Sequence, residues 1–237
     1  MNSKNLVKKI RKIVLETTNG NLISLYLIGS FLRNEMTKTS DIDVVGVMKP
    51  DFDFMKEVEI NKILNEKIHS KHRIDLGTMN YEEFFGGVQK GSLMKHTYLS
   101  VFINFLKNAK LIYGKKLNFD KFPIKPASIE DELNYHIGIF RKYKNEFRKK
   151  DSLGPDFYFR DFIKTIFFIA NLELLRNRGL KPKSYFNISK ALKKEKNHIV
   201  HYSLKLRKKK IITKQEKQHW LEMAERYVKE LRERTRL

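Results

Sequence analysis

Asp41 and Asp43 stand one residue apart, and ten residues separate them from a Gly29-Ser30 pair. A third carboxylate, Asp75, lies inside the apolar run Arg73-Ile74-Asp75-Leu76. Carboxylates are the oxygen ligands that a hard cation such as Mg²⁺ prefers. Three of them in this order suit two divalent ions held against a nucleoside triphosphate, a clamp that serves both the attacking and the leaving oxygen of a displacement at phosphorus.

The flanking residues say how such a site is carried. Leu22 to Ile28 is apolar and rich in strand-forming residues, so it reads as a buried strand ending at Gly29-Ser30. Glycine lets a phosphate approach the backbone, serine adds a hydroxyl, and the amides that follow can point at an anion. Asp41 to Met48 reads as the next strand. Side chains alternate across a strand, which places Asp41 and Asp43 on one face, about 7 Å apart, and sends Ile42 and Val44 into the core. The two carboxylates repel when both ionise, and a bound cation removes that repulsion. Asp75 falls on a further strand, His72 to Met79, and can complete the clamp.

Leu27-Ile28-Gly29-Ser30, Ser40-Asp41-Ile42-Asp43-Val44 and Ile74-Asp75-Leu76 together resemble the nucleotidyltransferase superfamily of DNA polymerase β and the aminoglycoside nucleotidyltransferases. The resemblance covers residues 20 to 80. The segment Ala109 to Gly114 is similar to the element that closes this domain in small-molecule members. It implies Asp41, Asp43 and Asp75 as catalytic metal ligands for two Mg²⁺ ions. Gly29, Ser30, Arg33, Ser40 and Lys142 are the candidates for holding ATP or another nucleoside triphosphate. Minimal nucleotidyltransferases that modify a toxin partner share the Gly-Ser, ten-residue, Asp-x-Asp spacing.

Around this half the chain divides. Apolar positions Leu6, Val7, Ile10, Ile13 and Val14 step along a first helix capped by Ser3 and ending near Gly20. Residues 55 to 70 read as a helix offering Met55, Val58, Ile63, Leu64 and Ile68 to the core. Tyr81 to Val88 and His96 to Lys107 read as two more, with the helices on one face of a mixed sheet. The segment Phe122 to Ser128 holds two prolines and ends in a possible cap, which sets the expected domains at 1–125 and 126–237. The second half reads as a helical bundle. Ile129, Leu133, Ile137, Phe140, Tyr143 and Phe147 line one helix, Gly154-Pro155 breaks the chain, and Phe157 to Arg178 forms a strongly apolar helix stopped by Gly179. Lys183 to Lys196 and Thr213 to Arg236 add two helices, the latter opened by a Thr213/Glu216 capping box. Phe159, Phe162, Phe167 and Phe168 are expected in the core. The expected fold class is therefore α+β, a mixed-sheet nucleotidyltransferase domain followed by a helical bundle. That bundle resembles the one in kanamycin- and streptomycin-type enzymes, in architecture and in the phrase Leu174 to Pro182.

Composition narrows the rest. The chain has no cysteine, which excludes disulfides and thiolate chemistry, and its 41% hydrophobic content is enough for a core. No stretch approaches the roughly 18 apolar residues of a membrane helix, and the N-terminus lacks a signal-peptide core, so a soluble cytoplasmic protein without membrane association is expected. Net charge is +22, of which +8 falls in residues 1–125 and +14 in residues 126–237. This attracts polyanions. With no RNA-recognition, KH or zinc-finger pattern, nucleic acid is a possible partner that is not favoured, and Lys205 to Lys210 reads as solvated surface. The expected function is Mg²⁺-dependent transfer of a nucleoside monophosphate, AMP from ATP, to a small hydroxylated acceptor with release of pyrophosphate. Glu130 or Glu132 is a candidate general base, and a homodimer is possible. The alternatives are the same transfer to RNA or a partner protein, and nucleotide binding without catalysis.

Overall fold

The computed structural model describes residues 2–37, 40–88, 91, 98–149 and 156–235. The chain forms two compact units, Met1–Ala127 and Ser128–Leu237.

The first unit is built on a four-stranded sheet in the order β3-β2-β1-β4. Helix α1 (Ser3–Thr18) precedes β1 (Leu22–Leu27), a one-turn helix α2 (Gly29–Leu32) follows it, and β2 (Ile42–Met48) comes next. Then come α3 (Lys56–Lys67), β3 (Ile74–Asn80), a 3₁₀ turn (Tyr81–Phe85), α4 (Leu99–Lys107) and β4 (Lys110–Gly114). β1 runs antiparallel to both β2 and β4, while β2 and β3 are parallel. The cap of α1 is Asn2, whose side chain accepts from Asn5 N–H at 2.9 Å, and not Ser3, which is already inside the helix. Of the segment His96 to Lys107, the stretch up to residue 97 lies outside the described residues, as does Gly154-Pro155.

Helices cover both faces of this sheet, in contrast to the one face expected from sequence. Val44, Val45, Val47 and Met48 are all buried, so β2 has apolar side chains pointing both ways and each set needs cover. Ile42, Val44 and Met48 pack with α1 and α3 residues such as Ile10, Val14, Ile60 and Leu64. Val45 and Val47 pack instead with Tyr26, Phe84, Phe102, Ile103 and Phe119.

Helix α3 also departs from its expected register. Met55 and Val58 are 79% and 69% exposed, and the inward positions are Glu57, Ile60 and Leu64. The cause is the open edge of β3. Asn65 accepts from Ile74 N–H (2.8 Å) and donates to Ile74 O (2.8 Å), and Asn61 does the same at Leu76 (2.7 and 2.8 Å). Glu57 accepts from Thr78 N–H at 2.6 Å and from its hydroxyl at 2.5 Å. Four residues of helix advance about 6 Å and two residues of strand about 6.7 Å. Side chains at 57, 61 and 65 therefore meet alternate residues of an antiparallel neighbour, and the helix serves the backbone groups a fifth strand would have taken.

The second unit is helical: α5 (Ile129–Lys149), α6 (Asp156–Arg178), α7 (Tyr185–Ala191), α8 (Ile199–Lys208) and α9 (Lys214–Thr235). Phe140, Phe159, Phe162, Phe167 and Trp220 are fully buried in its core, as expected for the phenylalanines. Phe168 is partly buried and stacks on His136 with ring centroids 4.8 Å apart. The Thr213/Glu216 box forms in both directions, at 3.2 and 3.1 Å. Helix α8 was not anticipated. Its signal is masked by Lys205 to Lys210, but Ile199, Val200, Ser203, Leu206 and Arg207 are buried along it. Arg160 donates to the carbonyls of Arg207 (2.8 Å) and Lys209 (2.5 Å) and so finishes the helix. Among the described residues no helix is long and apolar enough to cross a membrane.

Two outcomes follow from these packings. Asn61→Leu and Asn65→Leu each strand a donor and an acceptor on β3, and each should lower the unfolding free energy by about 1–3 kcal/mol in urea denaturation. A loss below about 0.5 kcal/mol would mean that water serves the edge equally well. In the second unit, burial pushes the His136 imidazole down to about 4 from its usual 6.5. Between those values the unfolded chain takes up a proton that the folded chain refuses, so stability is complete above about 6.5 and falls as pH drops toward 4. His136→Phe should therefore flatten the acid limb by about 3 kcal/mol, followed through Trp220, the sole tryptophan, which is buried in this unit.

Candidate active site

Three strand ends meet at one margin of the sheet. β1 arrives there at its C-terminal end, and β2 and β3, parallel to each other, both start there. Leu27 pairs with Val44, and Ile28 N–H donates to Asp43 O at 3.0 Å, so the Gly29 turn is placed directly beside Asp43. In the parallel register Asp43 lies opposite Asp75. Both alternate with buried Ile42, Val44, Ile74 and Leu76, so both carboxylates project from the face opposite α1 and α3. Asp41 stands immediately before the first residue of β2, whereas the sequence predicts the strand to begin with it, and all three are partly exposed.

Gly29 has φ +77°, and a Cβ built on it would overlap Asp43 Oδ2 and lie 3.0 Å from Asp43 Cγ. The glycine is thus required twice, for its left-handed backbone and for the space the carboxylate occupies. Ser30 is buried, and its hydroxyl is directed to Met36 Sδ at 3.2 Å, while its carbonyl accepts from Arg33 and Glu35 N–H. Arg33 Nε donates to Glu35 Oε2 at 2.8 Å. Ser40 closes the loop before Asp41: its hydroxyl accepts from Thr37 N–H at 2.9 Å, and its carbonyl is 2.9 Å from His72 Nδ1. Ile42 N–H donates to Arg73 O at 2.8 Å, which joins the starts of β2 and β3. Lys142 is an exposed residue of α5 in the second unit. In that unit also, Glu130 pairs with Arg176 at 3.3 Å, and Glu132 is partly buried in the first turn of α5.

Sequence reading passed over Arg73 and His72. Arg73 lies 3.3 Å from Asp75 Oδ1, a cation beside the crowded carboxylates. The i, i+2 spacing on one strand was the available signal. His72 holds the Ser40 carbonyl and so the approach to Asp41, a contact between segments 32 residues apart that no local pattern announces.

The donor set is all carboxylate oxygen, which suits Mg²⁺. Among the described residues no three acidic or histidine side chains converge closely enough to enclose an ion alone. That fits the cation's habit of taking one or two carboxylates and completing its shell with water and substrate phosphates.

Residues 7–100 match the model of the nucleotidyltransferase domain family. A solved structure of spectinomycin adenyltransferase from Enterococcus faecialis, with ATP and spectinomycin, is 14% identical, covers 96% of this chain and 100% of its own, and superposes with a TM-score of 0.65. At that identity the likeness is one of fold. The MntA–HpeT toxin–antitoxin structure, 14% identical, covers 61% of this chain and 92% of its own with a TM-score of 0.34, too loose to bear on the site. No curated protein matches the sequence.

The close approach of Gly29 to Asp43 can be probed directly. Gly29→Ala should cost about 1–2 kcal/mol through its backbone alone. By displacing the Asp43 carboxylate it should also weaken ATP binding in calorimetry more than Ser30→Ala does. Equal affinity for Gly29→Ala and the unaltered protein would reduce the Gly-Ser pair to a turn.

Proposed function

Because residues 7–100 match the nucleotidyltransferase domain family, we propose that this protein transfers a nucleoside monophosphate, AMP from ATP, to a hydroxyl of a small molecule. The observation that carries the reading is the lateral pairing of Asp43 with Asp75 beside the Gly29 turn, inside the matched span. ATP and a small hydroxylated acceptor are taken from the structural neighbour of like fold.

In this reaction the acceptor oxygen attacks the α-phosphorus, the hydroxyl proton is lost, and the bond to the bridging oxygen of pyrophosphate breaks. Asp41, Asp43 and Asp75 would hold Mg²⁺, which supplies charge neutralisation on the phosphates and a lowered hydroxyl pKa when bound. Gly29 lets the Asp43 carboxylate lie directly against the turn, where the metal and the triphosphate would meet. Arg73 offsets the crowding of Asp43 and Asp75 and helps aim the Asp75 carboxylate. Thr37, Ser40 and His72 fix the loop that delivers Asp41. Arg33, held by Glu35, is the nearby cation for the leaving pyrophosphate.

The test is incubation with ATP labelled at the α-phosphate, Mg²⁺, and separate pools of small hydroxylated molecules, RNA and protein. Label should enter the small-molecule pool. Asp43→Asn and Asp75→Asn should lower transfer more than about 100-fold with an unchanged circular dichroism spectrum. Label entering only RNA or protein would replace the acceptor class, and turnover surviving in both variants would remove the metal-ligand assignment.

A further inference from the structure

Charge around the last helix is unevenly divided between its faces. Four carboxylates, Glu173, Glu195, Glu230 and Glu233, against two guanidiniums, Arg226 and Arg234, border a cavity toward α6 and the α7–α8 loop. Lys229 and Arg232 border a different hollow, between α9 and α5, that also takes in Arg141, Lys144 and Arg226.

The second hollow is one end of a groove. It has a volume of about 460 Å³ and an apolar floor of Phe140 and Val228. A neighbouring hollow of about 290 Å³, bordered by Phe147, Arg148 and Lys214, shares Glu222 and Glu225 with it. Early α9 thus lies beside the end of α5 and late α9 beside its middle, and the groove follows their antiparallel course. From Lys214 to Arg232 that is about 27 Å of helix.

Seven cations line this course against the two carboxylates. Glu225 is already held, by Arg148 at 2.8 and 3.1 Å and by Lys144 at 3.9 Å. Glu222 accepts from the Gln218 amide at 2.9 Å. Arg141, Arg226 and Arg232 are exposed and rise from both walls. Guanidinium forks suit phosphate oxygens, which they bind bidentately. Phe140 and Phe147 are buried beneath them, so no ring is offered for base stacking. In the more obvious basic run, Lys205 to Lys210, two of the five cations are already engaged: Arg207 is buried over the Tyr185 ring, and Lys209 pairs with Glu216.

We propose that the α5–α9 groove binds the phosphate backbone of a nucleic acid strand, without reading its sequence. This goes beyond the catalytic proposal and does not depend on it. The probe is a fluorescein-labelled oligouridine of 20 nucleotides, followed by anisotropy without Mg²⁺ or ATP. Binding should be micromolar at physiological salt. Its log K should fall with log salt at a slope of about −3, from about −0.7 per neutralised phosphate on a single strand. Exchanging Arg141, Arg226 and Arg232 together for Gln should weaken binding at least about tenfold and flatten the slope by about 2, with the melting temperature unchanged because all three are exposed. Gln at Lys208, Lys209 and Lys210 should have a much smaller effect. Equal losses in the two triple variants, a slope near zero, or displacement of the RNA by an equimolar amount of ATP would overturn the proposal. Asp43→Asn should bind the probe as the unaltered protein does, which separates this outcome from the fate of the catalytic reading.

Discussion

The ladder of side chains from α3 to the edge of β3 is the constraint on which the first unit depends. An edge strand carries a row of unpaired N–H and C=O groups and can slip or recruit another chain. Here Glu57, Asn61 and Asn65 engage Thr78, Leu76 and Ile74 one by one. Each amide gives and receives at one residue, so the match breaks if β3 slides. A slide of one residue would also turn Asp75 into the core and Ile74 to solvent. Holding the edge of the sheet and holding the carboxylates side by side are therefore the same act.

The site follows from which strand ends share a margin. β1 delivers a glycine turn, and β2 and β3, running parallel, deliver carboxylates at matching positions. Two adjacent carboxylates are costly unless something positive is near. Arg73 supplies part of that charge from within the protein, and the approach of Gly29 to Asp43 leaves no room for a side chain that would shield the pair. Such crowding is tolerated where a cation and phosphates complete the arrangement.

The second unit is stabilised differently. Its core is aromatic, with Trp220 set edge-on against Phe159 and Phe162 at 5.1 and 5.0 Å, a geometry that favours ring pairs beyond their burial. Buried Trp220 Nε1 is satisfied by Ser203 Oγ at 2.8 Å. Because this core is closed on itself, the outer faces of α5 and α9 are left to carry charge, and they carry it unevenly.

The amino-acid sequence determined the features that are local. The strand that follows Asp41 and bears Asp43 could be read because Ile42 and Val44 alternate with them, and the Thr213/Glu216 box could be read because its partners are three residues apart. The mixed α+β class and the aromatic core of the bundle were legible for the same reason. Tertiary structure decided what depends on neighbours distant in the chain. Only the sheet order shows that Asp43 and Asp75 are adjacent, that Gly29 touches one of them, and that both faces of the sheet are covered. The inward face of α3 escaped because it is polar: Glu57, Asn61 and Asn65 dock on a strand edge, and no hydrophobic period marks such a face. Helix α8 escaped because its basic residues hide a buried stripe completed by other helices. The uneven charge around α9 escaped too, since net charge sums over a helix while its faces are divided by what packs beside them.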